Sequence, residues 1–119
     1  MNTHYGFGDE CQIKSSKLIY NYAKKISDHP MFVTGDFNMC PDRLGYAEMT
    51  KHFTDANAVT AKDTRATYHA YEPENHPDSQ IDYCFVNDKV TPLTRELIDK
   101  TFDKKYPSDH FGIYIELEI

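Results

Sequence analysis

The chain has 119 residues, and its 13 Lys plus Arg against 19 Asp plus Glu give a formal net charge of −6 with the histidines neutral. A chain of this length buries roughly two-thirds of the surface its unfolded form exposes, so a small domain can form without disulfides or a structural metal. Hydrophobic content of 39% beside 27% charged residues excludes a disordered tail and a membrane protein, and no apolar run approaches the ~18 residues of a membrane span.

At the N-terminus, Met1 and Thr3 alternate with Asn2 and His4, which reads as the tail end of a strand with no earlier partner. No basic stretch leads into an apolar one there, so a secretory signal is not expected. Residues 9 to 27 read as a helix, because Ile13, Leu18, Ile19, Tyr22, Ala23 and Ile26 recur at three- and four-residue steps, with Asp9 as its cap. Residues 31–34 form a short buried strand closed by Gly35 and followed by a polar loop from Asp36 to Arg43. A weaker helix is expected from Tyr46 to His52. Residues 54–77 are mostly irregular, with Thr67-Tyr68-His69 the only strand-like island.

Residues 81–86 make the strongest strand by composition. The run from Val90 to Leu97 is a further strand, which Pro92 places near a sheet edge. Tyr106 to His110 is a loop. The chain closes on a half-buried strand from Phe111 to Ile119, where Ile113, Ile115, Leu117 and Ile119 alternate with Tyr114, Glu116 and Glu118. No internal repeat or linker interrupts this order. The strands at 31–34 and 81–86 carry apolar groups on both faces and so need cover on both sides. Two helices cover one face, and nothing obvious in the chain covers the other.

Cys11, Cys40 and Cys84 are three in number and widely spaced. That disfavours a disulfide framework and a zinc knuckle and favours the cytoplasm over secretion, with the cysteines expected as small buried hydrophobes. The acidic balance argues against non-specific grip on nucleic acid as the main task, while leaving nucleic acid open as a substrate.

Three clusters carry chemistry. Gly35-Asp36-Phe37-Asn38 follows a buried strand. An extended chain there would project Asp36 and Asn38 to one side, about 6.6–6.8 Å apart, where a carboxylate and a carboxamide suit a water, a phosphate oxygen and a hard cation. The plainer reading is an Asx turn ending the strand. In Ser108-Asp109-His110, neighbours on a strand face opposite ways, so His110 needs another carboxylate, and Asp82 is the natural candidate. The third cluster, Asn2-Thr3-His4, leaves a histidine at a strand end.

In this order, together with Thr67-Tyr68-His69 and Ile81-Asp82-Tyr83, these motifs resemble the endonuclease/exonuclease/phosphatase superfamily, and the resemblance covers nearly the whole chain. It implies an α/β fold: half of a four-layer α/β/β/α sandwich, with one mostly antiparallel mixed sheet carrying helices on one face. It also implies a hydrolase that opens phosphoesters with a water nucleophile and Mg²⁺ (or Mn²⁺). Carried over, Asp36 aligns or deprotonates the water, Asn38 holds a phosphate oxygen, and Asp82 orients His110. His110 stabilises the transition state or acts as base, His4 contacts the scissile phosphate, and Asp109 belongs to the metal site. Tyr68 and His69 are candidate substrate contacts.

Against that family pattern, the principal metal-binding glutamate and an asparagine before it belong to an N-terminal half that has no counterpart here. Glu10 and Glu48 read as helix-surface residues, and Gly6 and Gln12 stand where relatives carry an acidic and a basic residue. Residues 1–119 are therefore expected to be the C-terminal half of such a domain, inactive or weakly active alone, with copies pairing through the uncovered sheet face. The alternative is a non-enzymatic module that keeps the fold to bind a partner or nucleic acid.

Overall fold

The computed structural model describes residues 1–60 and 65–119. In chain order the elements are β1 (Asn2–His4), α1 (Asp9–Ala23, tightening into a 3₁₀ turn over Lys24–Ile26), β2 (Phe32–Asp36), α2 (Leu44–Thr50), β3 (Thr54–Asp55), α3 (Ala56–Thr60), a 3₁₀ turn (Pro73–Asn75), β4 (Asp82–Val86), β5 (Thr91–Ile98) and β6 (Gly112–Glu118). Four strands form a mixed sheet in the order β1-β2-β4-β3, with β1 parallel to β2 and the other pairs antiparallel. A mixed sheet with α1 and α2 on one face is the expected architecture, with the short α3 on the other. The last two strands stand apart from it as an antiparallel ladder of their own.

The helix-covered face holds the main core. Val33, Phe37, Phe85 and Met49 are fully buried there, with Tyr5, Met31, Phe53 and Tyr83 around them. Phe37 packs its ring against Tyr5, Tyr83 and Phe85 at centroid distances of 4.7, 5.8 and 5.0 Å. Such a fully enclosed phenylalanine typically contributes about 3–5 kcal/mol relative to alanine.

The buried side of α1 is not the stripe that its periodicity suggests. Gln12, Ser16 and Ala23 face inward, while Leu18, Tyr22 and Ile26 are exposed. The cause is close approach to α2: a Cβ on Gly45 would lie 2.7 Å from Gln12 Cβ and 2.7 Å from Met39 Sδ, so small and polar side chains are what fit the seam. Ser16 Oγ donates within that seam toward the carbonyls of Gln12 and Gly45, at 2.9 and 3.2 Å. Asp9 is the first helical residue and not the cap; that place is taken by Gly8 at φ 90°.

Two further expectations change at the second face of the sheet. The stretch 54–77, which the sequence predicts as mostly irregular, opens on β3 and α3, and its residues 61–64 lie outside the described residues. The second face is also partly covered from within the chain, because Ala56 of α3, Val90 and the inward side of β6 at Ile115 and Leu117 pack on Cys84 and Val86. The cover stops short of β1 and the start of β2, where Phe32 keeps 42% of its surface exposed. The gap is a cavity of about 650 Å³ lined by both the sheet and β6. Ile119, expected with the buried alternation, is exposed. Of the cysteines only Cys84 is buried, its thiol pushed up to about 11 by that burial, while Cys11 is exposed and Cys40 is intermediate. No helix among the described residues is long and apolar enough to cross a membrane.

Candidate active site

Three neighbouring strands end level with one another on the open face. In the ladder His4 lies opposite Asp36, and Asp36 lies opposite Asp82, so the three side chains share one side of the sheet. Gly35 makes this docking possible. At φ 148° it would place a Cβ 1.8 Å from the Thr3 carbonyl oxygen, so a side chain there would drive β1 off. Gly35 therefore continues β2 to Asp36 and does not close the strand. Tyr5, the residue after β1, anchors that strand by donating its N–H to the Asp36 carbonyl at 2.9 Å. Its phenol, pushed up to about 12 by burial, lies 3.3 Å from Ser16 Oγ.

The chain does not stay extended past Asp36. Asn38 takes the left-handed conformation (φ 49°) and donates its N–H to Asp36 Oδ1 at 2.8 Å, forming the Asx turn. Asn38 Nδ2 donates to the Tyr5 carbonyl at 2.7 Å, and buried Gln12 donates from Nε2 to the Asn38 carbonyl at 2.6 Å. The turn thus fixes the Asp36 carboxylate with Oδ2 turned toward two histidines, His4 Nε2 at 3.4 Å and His110 Nε2 at 4.0 Å. The contribution of Gln12 was not legible in the sequence, where it read only as a departure from a family pattern.

His110 Nδ1 lies 2.8 Å from Asp82 Oδ2, the pairing expected from strand geometry. An ionised carboxylate only accepts, so this contact puts the proton on Nδ1 and leaves the Nε2 lone pair on the Asp36 side. Ser108 Oγ accepts the His110 N–H at 3.1 Å. Asp109 stands apart from the cluster. Its carboxylate meets Ser108 Oγ at 3.4 Å, and its carbonyl accepts the N–H groups of His69 and Ala70 at 2.9 and 3.1 Å. Tyr68 sets its ring edge-on to His110 with centroids 5.0 Å apart. His69 is only 1% exposed, wedged against Tyr106 and Phe111, so of the two residues expected at a cleft Tyr68 alone stands beside the histidine.

Ligand atoms of Asp36, Asp82 and His110 all lie within 4.8 Å of one another. Two carboxylates side by side repel, and the ion-pair contacts recorded at this pair are to His4 and His110, which carry charge only when protonated. Hard carboxylate oxygens with sparse protein ligation suit a divalent cation such as Mg²⁺, which keeps several waters. Glu10 and Glu48 are spent elsewhere, each 2.6 Å from a lysine, Lys14 and Lys51; Glu10 is exposed on the helix surface as expected, whereas the Glu48 side chain is mostly covered, with 14% of its surface exposed.

The family model described as the Endonuclease/Exonuclease/phosphatase family matches residues 12–110. No curated protein matches the sequence. Among solved structures, a mannosyl-6-phosphatase of Bacteroides thetaiotaomicron superposes at a TM-score of 0.88 and 22% identity, over 99% of this chain and 50% of that one. An endonuclease/exonuclease/phosphatase from Bacteroides vulgatus gives 0.85 and 25%, over 98% and 47%. D. rerio TDP2 complexed with a single-strand DNA product gives 0.68 and 21%, over 100% and 55%. The chain spans about half the length of these solved structures. On the family match and the shared fold, the chain belongs to the endonuclease/exonuclease/phosphatase family.

Proposed function

We propose that these residues are the C-terminal half of a metal-dependent phosphoesterase domain and carry its water-activating side. The observation that supports this most is the convergence of His4, Asp36, Asp82 and His110 at one end of an incompletely covered sheet face. The carboxylates of Asp36 and Asp82 would hold Mg²⁺ or Mn²⁺ in part, with a glutamate from the other half of the domain completing the site. Such a cation, when bound, neutralises charge on the phosphoryl oxygens and on the leaving oxygen.

The chain's own groups do the rest. Asp36 Oδ2 accepts a hydrogen from the attacking water and orients it. Its other oxygen is engaged by the Asn38 N–H, so the carboxylate meets the water in a fixed pose. His110, held by Asp82, faces the reacting phosphorus with Nε2 and offers a base or, once protonated, a donor where negative charge builds. His4, with its side chain 74% exposed, is free to swing onto a phosphate oxygen and to protonate the leaving group. Asn38 has a second amide hydrogen for the phosphate, and Tyr68 flanks the substrate beside His110. Asp109, next to His110 in the chain, would add negative charge beside the cluster without a ligand atom within it.

Without its other half the open face remains apolar around Phe32, and copies of the chain pair through it. Sedimentation of a monomer at all concentrations would contradict the pairing.

The functional test is hydrolysis of bis(4-nitrophenyl) phosphate with Mg²⁺ or Mn²⁺. The 119-residue chain is expected to turn over at least ~10²-fold more slowly than a complete homologue, with the rate restored when the N-terminal half is supplied. Turnover at the homologue's rate would overturn the half-domain reading. A complete protein inert toward every phosphoester would overturn the enzymatic one.

A further inference from the structure

Asp82 and His110 lie 28 residues apart in the chain and share no ladder, yet their side chains meet at 2.8 Å. Asp82 opens β4 beyond the reach of β3, which pairs only with Phe85 and Val86. Its outward main-chain groups therefore need partners other than a strand. Two side chains supply them: Thr67 Oγ1 accepts the Asp82 N–H at 3.1 Å, and Asn57 Nδ2 donates to the Asp82 carbonyl at 2.9 Å. Thr67 does more than cap an edge. Its Oγ1 also accepts the Ile81 N–H at 3.0 Å, and its own carbonyl accepts the N–H of Phe111, the residue after His110, at 2.8 Å. The residue is 0% exposed.

We infer that Thr67 is the positioning residue of the Asp82–His110 pair, one buried side chain whose hydroxyl holds the main chain of Asp82 while its carbonyl holds the main chain beside His110. The inference rests on reading that pair as the working couple of a phosphoesterase. Thr67 touches no reacting atom. It acts by fixing both partners against a single reference point, so that the carboxylate meets Nδ1 and Nε2 is left to face Asp36. Both lone pairs of the hydroxyl are used, and no water competes for them at a fully buried site. Valine has the same shape and no acceptor. It would strand the N–H groups of Ile81 and Asp82, and β4 would shift to find other partners.

The test is the ¹⁵N spectrum of the His110 imidazole in the whole chain, which reports where the ring proton sits. The unsubstituted chain is expected to show Nδ1 and Nε2 widely separated, with the proton localised on Nδ1. Thr67→Val should collapse that separation toward the tautomer average, and Thr67→Ser, which keeps the hydroxyl, should restore it. Met31→Ala, a cavity in the core just before the far end of β2, should lower the melting temperature and leave the separation intact. A Thr67→Val spectrum like that of the unsubstituted chain would overturn the inference, as would an equal collapse in Met31→Ala.

If Thr67→Val does not fold, amide exchange in the unsubstituted chain decides instead. The Asp82 and Phe111 amides are expected to exchange together and slowly. Rapid exchange at Phe111 beside protection at Asp82 would overturn the inference. Neither readout uses turnover, so loss of the phosphoesterase reading and loss of this one are told apart.

Discussion

On the helix side of the four-stranded sheet Val33 and Phe85 have no exposed surface, whereas on the other side of the same strands Phe32 keeps 42% of its own and His4, Asp36 and Asp82 stand in a row. One face is closed by aromatic packing around Phe37. The other carries the polar cluster at the strand ends and is only partly roofed, by α3 and the β5–β6 ladder. Adjacent residues of one strand point to opposite sides, so a five-residue strand builds core and chemistry at once, and the two faces can be perturbed separately.

The largest effect is expected from Asp36→Asn in a catalytically complete protein. It should lower the metal-dependent hydrolysis rate by ~10²–10⁴-fold while leaving the melting temperature unchanged or raised, because it removes one of two opposed carboxylates. A rate within a few-fold of the unsubstituted protein would erase the distinction between the faces. Next come paired truncations on the two faces, read by urea unfolding. Phe85→Ala should cost about 3–5 kcal/mol, and Phe32→Ala about 1–2 kcal/mol, since Phe32 still keeps 42% of its surface exposed. Equal losses would mean that the second face is already closed.

The smallest effect is a pH slope. Burial holds the His69 imidazole below its ordinary range, so the folded chain prefers the neutral ring. That contribution to stability is complete above about pH 6.5 and is lost as pH falls toward the lower folded-state value. Melting temperature should therefore decline on acidification below about pH 6.5, and His69→Phe should flatten that limb. An unchanged limb would show that His69 is not the group responsible.

Much of this was legible in the sequence where a signal is local. β4 and β6 announce themselves by composition and alternation, and alternation set Asp109 aside, leaving Asp82 on the strongest strand as the natural partner of His110. The buried side of α1 was hidden because Leu18, Tyr22 and Ile26 form the more apolar stripe, while the true contact is set by how closely Gly45 lets α2 approach. The Asx turn was legible only as an alternative, since an extended Asp-x-Asn and a turned one have the same composition, and the Tyr5 carbonyl 33 residues away helps decide between them. The role of Gln12 and the cover from β6 are long-range in the same sense. Neither leaves a mark in its own stretch of chain.

The most direct measurement of the central claim is Mn²⁺-induced line broadening in the NMR spectrum of the chain. Paramagnetic relaxation falls steeply with distance, so a cation at the strand ends should broaden His4, Asp36, Asp82 and His110 before all others, and Asp36→Asn should abolish the effect. Broadening that begins at Glu10 or Glu48 on the helices, or that spreads evenly over the acidic residues, would contradict a metal-dependent site on the open face.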